Sequence, residues 1–106
     1  MPTITVTDES FQADVIDSDK PVLLDYWATY CAPCKQMAPA LEELSDEFEG
    51  AVVIGKMNIE DCLDVPSKFH IRGVPTLMIF KGGEVVATRV GPMNKAKMSE
   101  WITENT

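Results

Sequence analysis

Val22-Leu23-Leu24-Asp25-Tyr26-Trp27-Ala28-Thr29-Tyr30-Cys31-Ala32-Pro33-Cys34-Lys35 decides how the chain is read. Its first half, opened by Pro21, is a near-continuous apolar run, the pattern of a strand covered on both faces. Its second half passes through a short loop into a long helix. Met37, Leu41, Leu44 and Phe48 form the apolar stripe of that helix, and Glu42, Glu43, Asp46, Glu47 and Glu49 its wet face. Gly50 supplies a C-terminal stop, and Pro39 inside the helix predicts a kink. A Cys-x-x-Cys pair therefore stands where a strand hands over to a helix.

The flanking sequence alternates in the same way. Ile4 and Val6 read as a short strand, and Thr7 or Asp8 as the cap of a helix running to about Ser18 with Phe11, Val15 and Ile16 on one face. Beyond the long helix, 51–57 reads as a second buried strand and 60–69 as a weak helix that Pro66 interrupts. Segments 76–81 and 84–90 are strands joined by Gly82-Gly83, a tight turn that makes an antiparallel hairpin. Asn94 caps a last helix with Met98, Trp101 and Ile102 on its inner face. Helices between strands imply parallel pairing, and the glycine turn adds an antiparallel edge. The expected class is α/β, a mixed sheet with helices on both faces, in one domain spanning 1–106.

Composition narrows the functions available. The chain has 106 residues, of which 45% are hydrophobic and 25% charged, an ordinary globular balance. With 9 basic against 17 acidic residues the net charge is −8, which argues against nucleic-acid or anionic-membrane surfaces. No apolar run approaches the ~20 residues of a membrane span. The first residues, Met1 to Val6, carry neither a basic segment nor a long apolar one, so no secretory signal is expected. Three cysteines are a poor disulfide framework. Together these features predict a reducing, cytoplasmic setting.

The chemistry rests on Cys31 and Cys34. Unpaired N–H groups and the positive dipole end of a helix N-terminus stabilise a thiolate, which makes Cys31, at the exposed helix start, the expected nucleophile. One helical turn brings Cys34 within bonding range, so it can resolve a mixed disulfide. Pro33 suits the first turn because it has no N–H to leave unpaired. A rival assignment gathers Cys31, Cys34, Cys62 and His70 into a zinc site, but the latter two lack a tight knuckle spacing. Cys62, in the acidic run Glu60-Asp61-Cys62-Leu63-Asp64, reads as a packed small side chain, with a regulatory or dimerising thiol as the alternative, and His70 as a non-catalytic residue.

Two charges interrupt buried strands, Asp25 and Lys56, and an isolated buried charge is costly. Burial predicts a raised Asp25 pKa and a proton acceptor for Cys34, with Lys56 on the adjacent strand tuning it.

Read together, Val22 to Ala28, Cys31 to Lys35, Met37-Ala38-Pro39, Lys56 to Ile59, Ile71 to Thr76, Phe80 to Gly83 and Val90-Gly91 resemble the thioredoxin family over essentially the whole chain. The resemblance implies a central five-stranded mixed sheet flanked by four helices, with Pro75 in the cis form opposite the cysteines. It implies a protein dithiol–disulfide oxidoreductase with no cofactor beyond the Cys31–Cys34 disulfide and no metal. It also implies a monomer that takes electrons from a flavoprotein reductase and passes them to disulfide-containing target proteins. A substrate-contact surface of Trp27, Ala32, Pro33, Gly73, Val74, Pro75, Val90 and Gly91 follows by the same likeness, with the Val74 backbone bonding an extended target segment. Two positions depart from the family pattern: Ala32 replaces glycine and Tyr30 replaces tryptophan. They bear on the redox potential and partner fit rather than the reaction type, and give as one alternative a disulfide isomerase or oxidant on the same fold; the alternative from another class is a non-catalytic thioredoxin-like binding or zinc module.

Overall fold

The computed structural model describes residues 3–106; Met1 and Pro2 of the expected domain lie outside the described residues. The chain forms β1 (Ile4–Thr5), a π-helical segment (Gln12–Ile16), β2 (Val22–Trp27), α1 (Ala32–Glu47), β3 (Val53–Asn58), α2 (Asp64–Lys68), β4 (Thr76–Lys81), β5 (Glu84–Val90) and α3 (Lys95–Asn105). The strands make one five-stranded sheet in the order β1-β3-β2-β4-β5. The pairs β1–β3 and β2–β3 are parallel, while β2–β4 and β4–β5 are antiparallel. This mixed sheet with four flanking helical segments among the described residues has the architecture that the resemblance implies.

The apolar run of β2 is explained by its central place. Successive side chains of a strand point to opposite faces. Leu23 joins Met37, Leu41 and Leu44 of α1 and Met98, Trp101 and Ile102 of α3. Val22, Leu24 and Tyr26 join Phe11, Val15 and Val65 on the other face. That second core is knit by edge and tilted contacts among the Phe11, Phe69 and Phe80 rings, 5.4–5.8 Å between centroids. Tyr26 is fully buried there, and its hydroxyl donates to the Met78 sulfur at 3.6 Å. By the same alternation Asp25 faces the α1–α3 side.

The first helix is shorter than its apolar spacing predicts. Thr7 N–H donates to Ser10 Oγ, and Ser10 N–H donates to Thr7 Oγ1, which closes a tight turn. Regular helix then gives way to a bond from Asp17 N–H to the Gln12 carbonyl, five residues back. The helical segment begins only after Phe11, so neither Thr7 nor Asp8 caps it: Thr7 closes the preceding turn, and Asp8 serves elsewhere. Its carboxylate instead accepts the N–H groups of Leu63, Asp64 and Val65 at 2.9–3.1 Å, capping α2 from across the sequence. Pro66 falls in the first turn of α2, where a missing N–H costs little. At the far end of α2, His70 N–H donates to Ser67 O and Ile71 N–H to Pro66 O. These bonds form a Schellman close, with His70 in the left-handed position at φ 57°.

The remaining elements follow the sequence closely. Gly82 and Gly83 both take positive φ, 61° and 82°, as a tight hairpin turn requires. Asn94 Oδ1 accepts Lys97 N–H at 2.9 Å, capping α3. Helix α1 runs through Pro39 to Glu47 without a break. The second buried strand begins at Val53, two residues later than its apolar run. Lys95 of α3 pairs with Glu43 at 3.1 Å and Glu47 at 2.5 Å, tying α3 to α1.

Candidate active site

The site is built where β2 ends and α1 begins. Pairing of β2 with β3 continues beyond Trp27, because Ile59 N–H donates to the Trp27 carbonyl at 2.9 Å. The chain then turns, with Cys31 N–H donating to Ala28 O at 3.1 Å. Cys31 is the N-cap of α1 in extended conformation (φ −93°, ψ 103°), and its Sγ accepts the N–H of Cys34 at 3.1 Å. Sulfur thus occupies the place a serine or aspartate oxygen usually fills. Ala32 and Pro33 follow in the first turn, where Pro33 leaves no donor unpaired.

Cys31 and Cys34 are joined by a disulfide with Cα atoms 5.3 Å apart. The expected openness of Cys31 is not found in this disulfide state. It is 6% exposed and Cys34 4%, so exposure scarcely separates them. Their difference is positional: Cys31 caps the helix, and Cys34 lies inside its first turn. With Ala28 they form a small apolar cluster against which Trp27, Ile59 and Val74 pack.

The loop after α2 meets this cluster. The Val74–Pro75 bond is cis. Thr76 Oγ1 donates to the Gly73 carbonyl at 2.6 Å, and Gly91 N–H donates to the Pro75 carbonyl at 2.9 Å. Gly91 takes φ 96°, a conformation that favours glycine. Of the eight residues implied as contacts, Ala32, Pro33, Gly73 and Val90 are exposed and Trp27, Val74 and Gly91 half-buried. Pro75 is buried, so its part is played within the loop.

Asp25 is 1% exposed, and its Oδ1 has no hydrogen-bond partner among the described residues. Burial pushes its carboxyl up to about 7, against the opposing charge of Lys56. Lys56 is its register partner on the parallel strand β3. The Lys56 ammonium also sits 5.1 Å from the Trp27 ring centroid, a cation–π arrangement.

Tyr30, singled out in the sequence, is 72% exposed beside Cys31. One neighbour escapes the sequence reading. Glu60 Oε1 accepts both the N–H and the hydroxyl of Thr29, at 2.6 and 2.7 Å. Only the β2–β3 register, which a single sequence does not carry, brings Glu60 to this loop.

The zinc alternative loses its geometry. Among the described residues no three His, Cys, Asp or Glu side chains are grouped to hold a metal. Cys62 is buried in the other core, and burial raises its thiol pKa, with the charges of Asp8, Asp61 and Glu9 adding to the effect.

Residues 2–104 match the thioredoxin family. The chain belongs to that family. It is 50% identical over 102 residues to thioredoxin C-2 of Corynebacterium nephridii, covering 96% of this chain and 94% of the relative. It is 45% identical over 102 residues to the thioredoxin of Pseudomonas aeruginosa, with the same coverage of 96% and 94%. The thioredoxin of Rhodospirillum rubrum is 48% identical over 97 residues, 92% of this chain and 93% of that one. As in a thioredoxin, Cys31–Cys34 is a redox-active pair, and the protein is a dithiol–disulfide oxidoreductase.

Proposed function

We infer that this thioredoxin reduces disulfides in other proteins by the following steps. The Cys31 thiolate attacks one sulfur of the target disulfide. A Cys31–target S–S bond forms, and the other target sulfur leaves as a thiolate. Cys34 then attacks the Cys31 sulfur, the mixed disulfide breaks, and the second target sulfur leaves. Two electrons have passed to the target, and Cys31–Cys34 is oxidised. The observation that carries this reading is Cys31 at the N-cap with its sulfur bonded by Cys34 N–H. An acceptor so placed is favoured when negatively charged.

Asp25 takes the Cys34 proton as that thiol attacks. Its buried, unpartnered oxygen and its position near neutrality suit a group that must both accept and release a proton. Lys56 tunes it. Trp27, Ala32, Pro33, Gly73, Val74, Val90 and Gly91 form the contact face, with Pro75 shaping its loop. The Val74 backbone holds an extended target segment by strand addition. A flavoprotein reductase restores the dithiol, so no bound cofactor is needed.

The whole chain acts as one domain, as a monomer in the cytoplasm. Among the described residues no helix is long and apolar enough to cross a membrane.

Insulin reduction by the pre-reduced, metal-free protein tests the reading. The unaltered protein is active, Cys31→Ser is dead, and Cys34→Ser accumulates mixed disulfides through Cys31. Equal activity of Cys31→Ser and the parent overturns it. An equilibrium with glutathione that strongly favours the dithiol would instead mark an oxidant.

A further inference from the structure

Beyond α2 the chain leaves an open groove between residues 69–73 and the strands β4 and β5, on the α2 side of the sheet. Phe69, Ile71 and Met78 give it a mainly apolar lining, and Arg72, Gly73 and Val90 also border it. Gly73 and Val90 belong to the contact face as well, so the groove continues that face. Among the described residues no carboxylate lines it. Arg72 is exposed, and among the described residues it has neither an ion pair nor a hydrogen bond. Other cations are differently placed. Lys95 bonds Glu43 and Glu47, while Lys56 and Lys68 lie 5.1 and 5.7 Å from the Trp27 and Phe69 ring centroids. In a chain of net charge −8, an unpaired guanidinium in an acid-free groove is a local reversal of sign.

We propose that this groove is a target subsite for a glutamate side chain, with Arg72 binding its carboxylate and the apolar lining covering its methylenes. The inference rests on the reading of Val74 as the place where a target segment adds as a strand. A segment paired there runs on past Gly73, the next residue of this chain, and so over the groove. Successive side chains of a strand point to opposite sides, so only one of two adjacent target positions enters it. A guanidinium matches a carboxylate with two parallel bonds. The molecule as a whole repels acidic segments, and Arg72 supplies the one local attraction that the contact face offers them. Charge placed in this way selects among targets more than it adds to affinity.

Short peptides with one cysteine, activated as its mixed disulfide with thionitrobenzoate, test this at fixed ionic strength. Cys31 attacks the peptide sulfur, the Cys31–peptide bond forms, and the coloured thiolate leaves. Glutamate, glutamine or leucine is placed in turn at each position near the cysteine. The dithiol protein should react faster with glutamate than with glutamine at one position, by about three- to fivefold, the upper scale of an exposed ion pair. Arg72→Gln should lose that preference and keep its rate with the glutamine peptide within about twofold. Arg72→Glu should prefer lysine to glutamine at the same position. Equal rates for glutamate and glutamine at every position overturn the subsite, as does a preference undiminished in Arg72→Gln. A preference equal at all positions marks long-range charge and also overturns it. A leucine peptide that outruns glutamate at the selected position makes the groove an apolar subsite, with the same result. The strand reading has its own control. N-methylation of the peptide amides beside the cysteine slows every peptide alike if the segment adds as a strand, whatever the side chain does at the groove.

Discussion

Asp25 and Lys56 are register partners across the parallel β2–β3 pair, one fully buried and the other half-buried. The lysine charge opposes the effect of burial on the carboxyl, which still sits at about 7. The ladder thus places a proton-binding group and its modulator in the centre of the sheet, on the strand that leads directly to Cys31.

Asp25→Asn will stabilise the protein above neutrality. A carboxyl whose folded pKa is about 7, against roughly 3.9 when unfolded, binds more protons in the folded state. Its neutral form favours folding below pH ~4, and that advantage is lost as pH rises through 7. In urea unfolding, variant and parent should agree near pH 4 and diverge to about 2–4 kcal/mol by pH 8, the variant being more stable. The same change should slow target release from the mixed disulfide by about tenfold or more. An equal release rate across pH would remove Asp25 from the proton transfer.

Lys56→Met removes the opposing charge and should raise the Asp25 midpoint. It also takes the ammonium from the Trp27 ring, so Trp27 emission should change while Trp101, in the α1–α3 core, stays as a constant background. Difference titration of the Asp25 carboxyl by infrared or NMR reads the midpoint directly.

Asp8→Ala should cost about 1 kcal/mol by chemical unfolding, the usual worth of a helix cap, because the N–H groups of Leu63 and of the first two residues of α2 lose their acceptor. Burial alone would raise this carboxyl, but bonds from Val65, Asp64 and Leu63 outweigh it and hold it below the usual range. Its contribution is therefore present above pH ~4 and lost as pH falls through the lowered folded value. The group is largely solvated, so screening keeps the acid-dependent part small. Parent and variant should converge in strong acid.

His70→Gly should be stabilising. The imidazole-bearing residue holds φ 57° at the close of α2, where a side chain costs roughly 1–2 kcal/mol and glycine none. Part of that gain is offset by the greater freedom of glycine when unfolded. A net rise of about 0.5–1 kcal/mol is expected in thermal or urea unfolding, with insulin reduction unchanged.

The fold was legible where one physical signal acted alone. Val22 to Trp27 is apolar on both faces because β2 is central, and Gly82-Gly83 can do little but turn. The cysteines were legible for the same reason, since strand, loop, Pro33 and helix agree. The first helix departs from its pattern because Phe11, Val15 and Ile16 satisfy a helical stripe while Thr7 and Ser10 close a turn instead. Asp8 was adjacent in sequence to one helix and bonded to another, a long-range choice that no local pattern encodes. Pro75 as a cis residue came from family likeness, because Val74-Pro75-Thr76 itself says only extended or turn. Glu60 stayed hidden because its role depends on how far past Trp27 the β2–β3 register extends.

The cysteines share their small cluster with Ala28, outside the two large cores, and meet the α2-side core through Ile59 and Val74. That separation matters for how such a sequence can drift. Replacements in the α2-side core reach the sulfurs only through Ile59 and Val74, whereas those in the α1–α3 layer border Asp25 and the helix that carries Cys34. A lineage can therefore adapt its durability to a new temperature through the first set of positions, while the second set ties packing to electron chemistry.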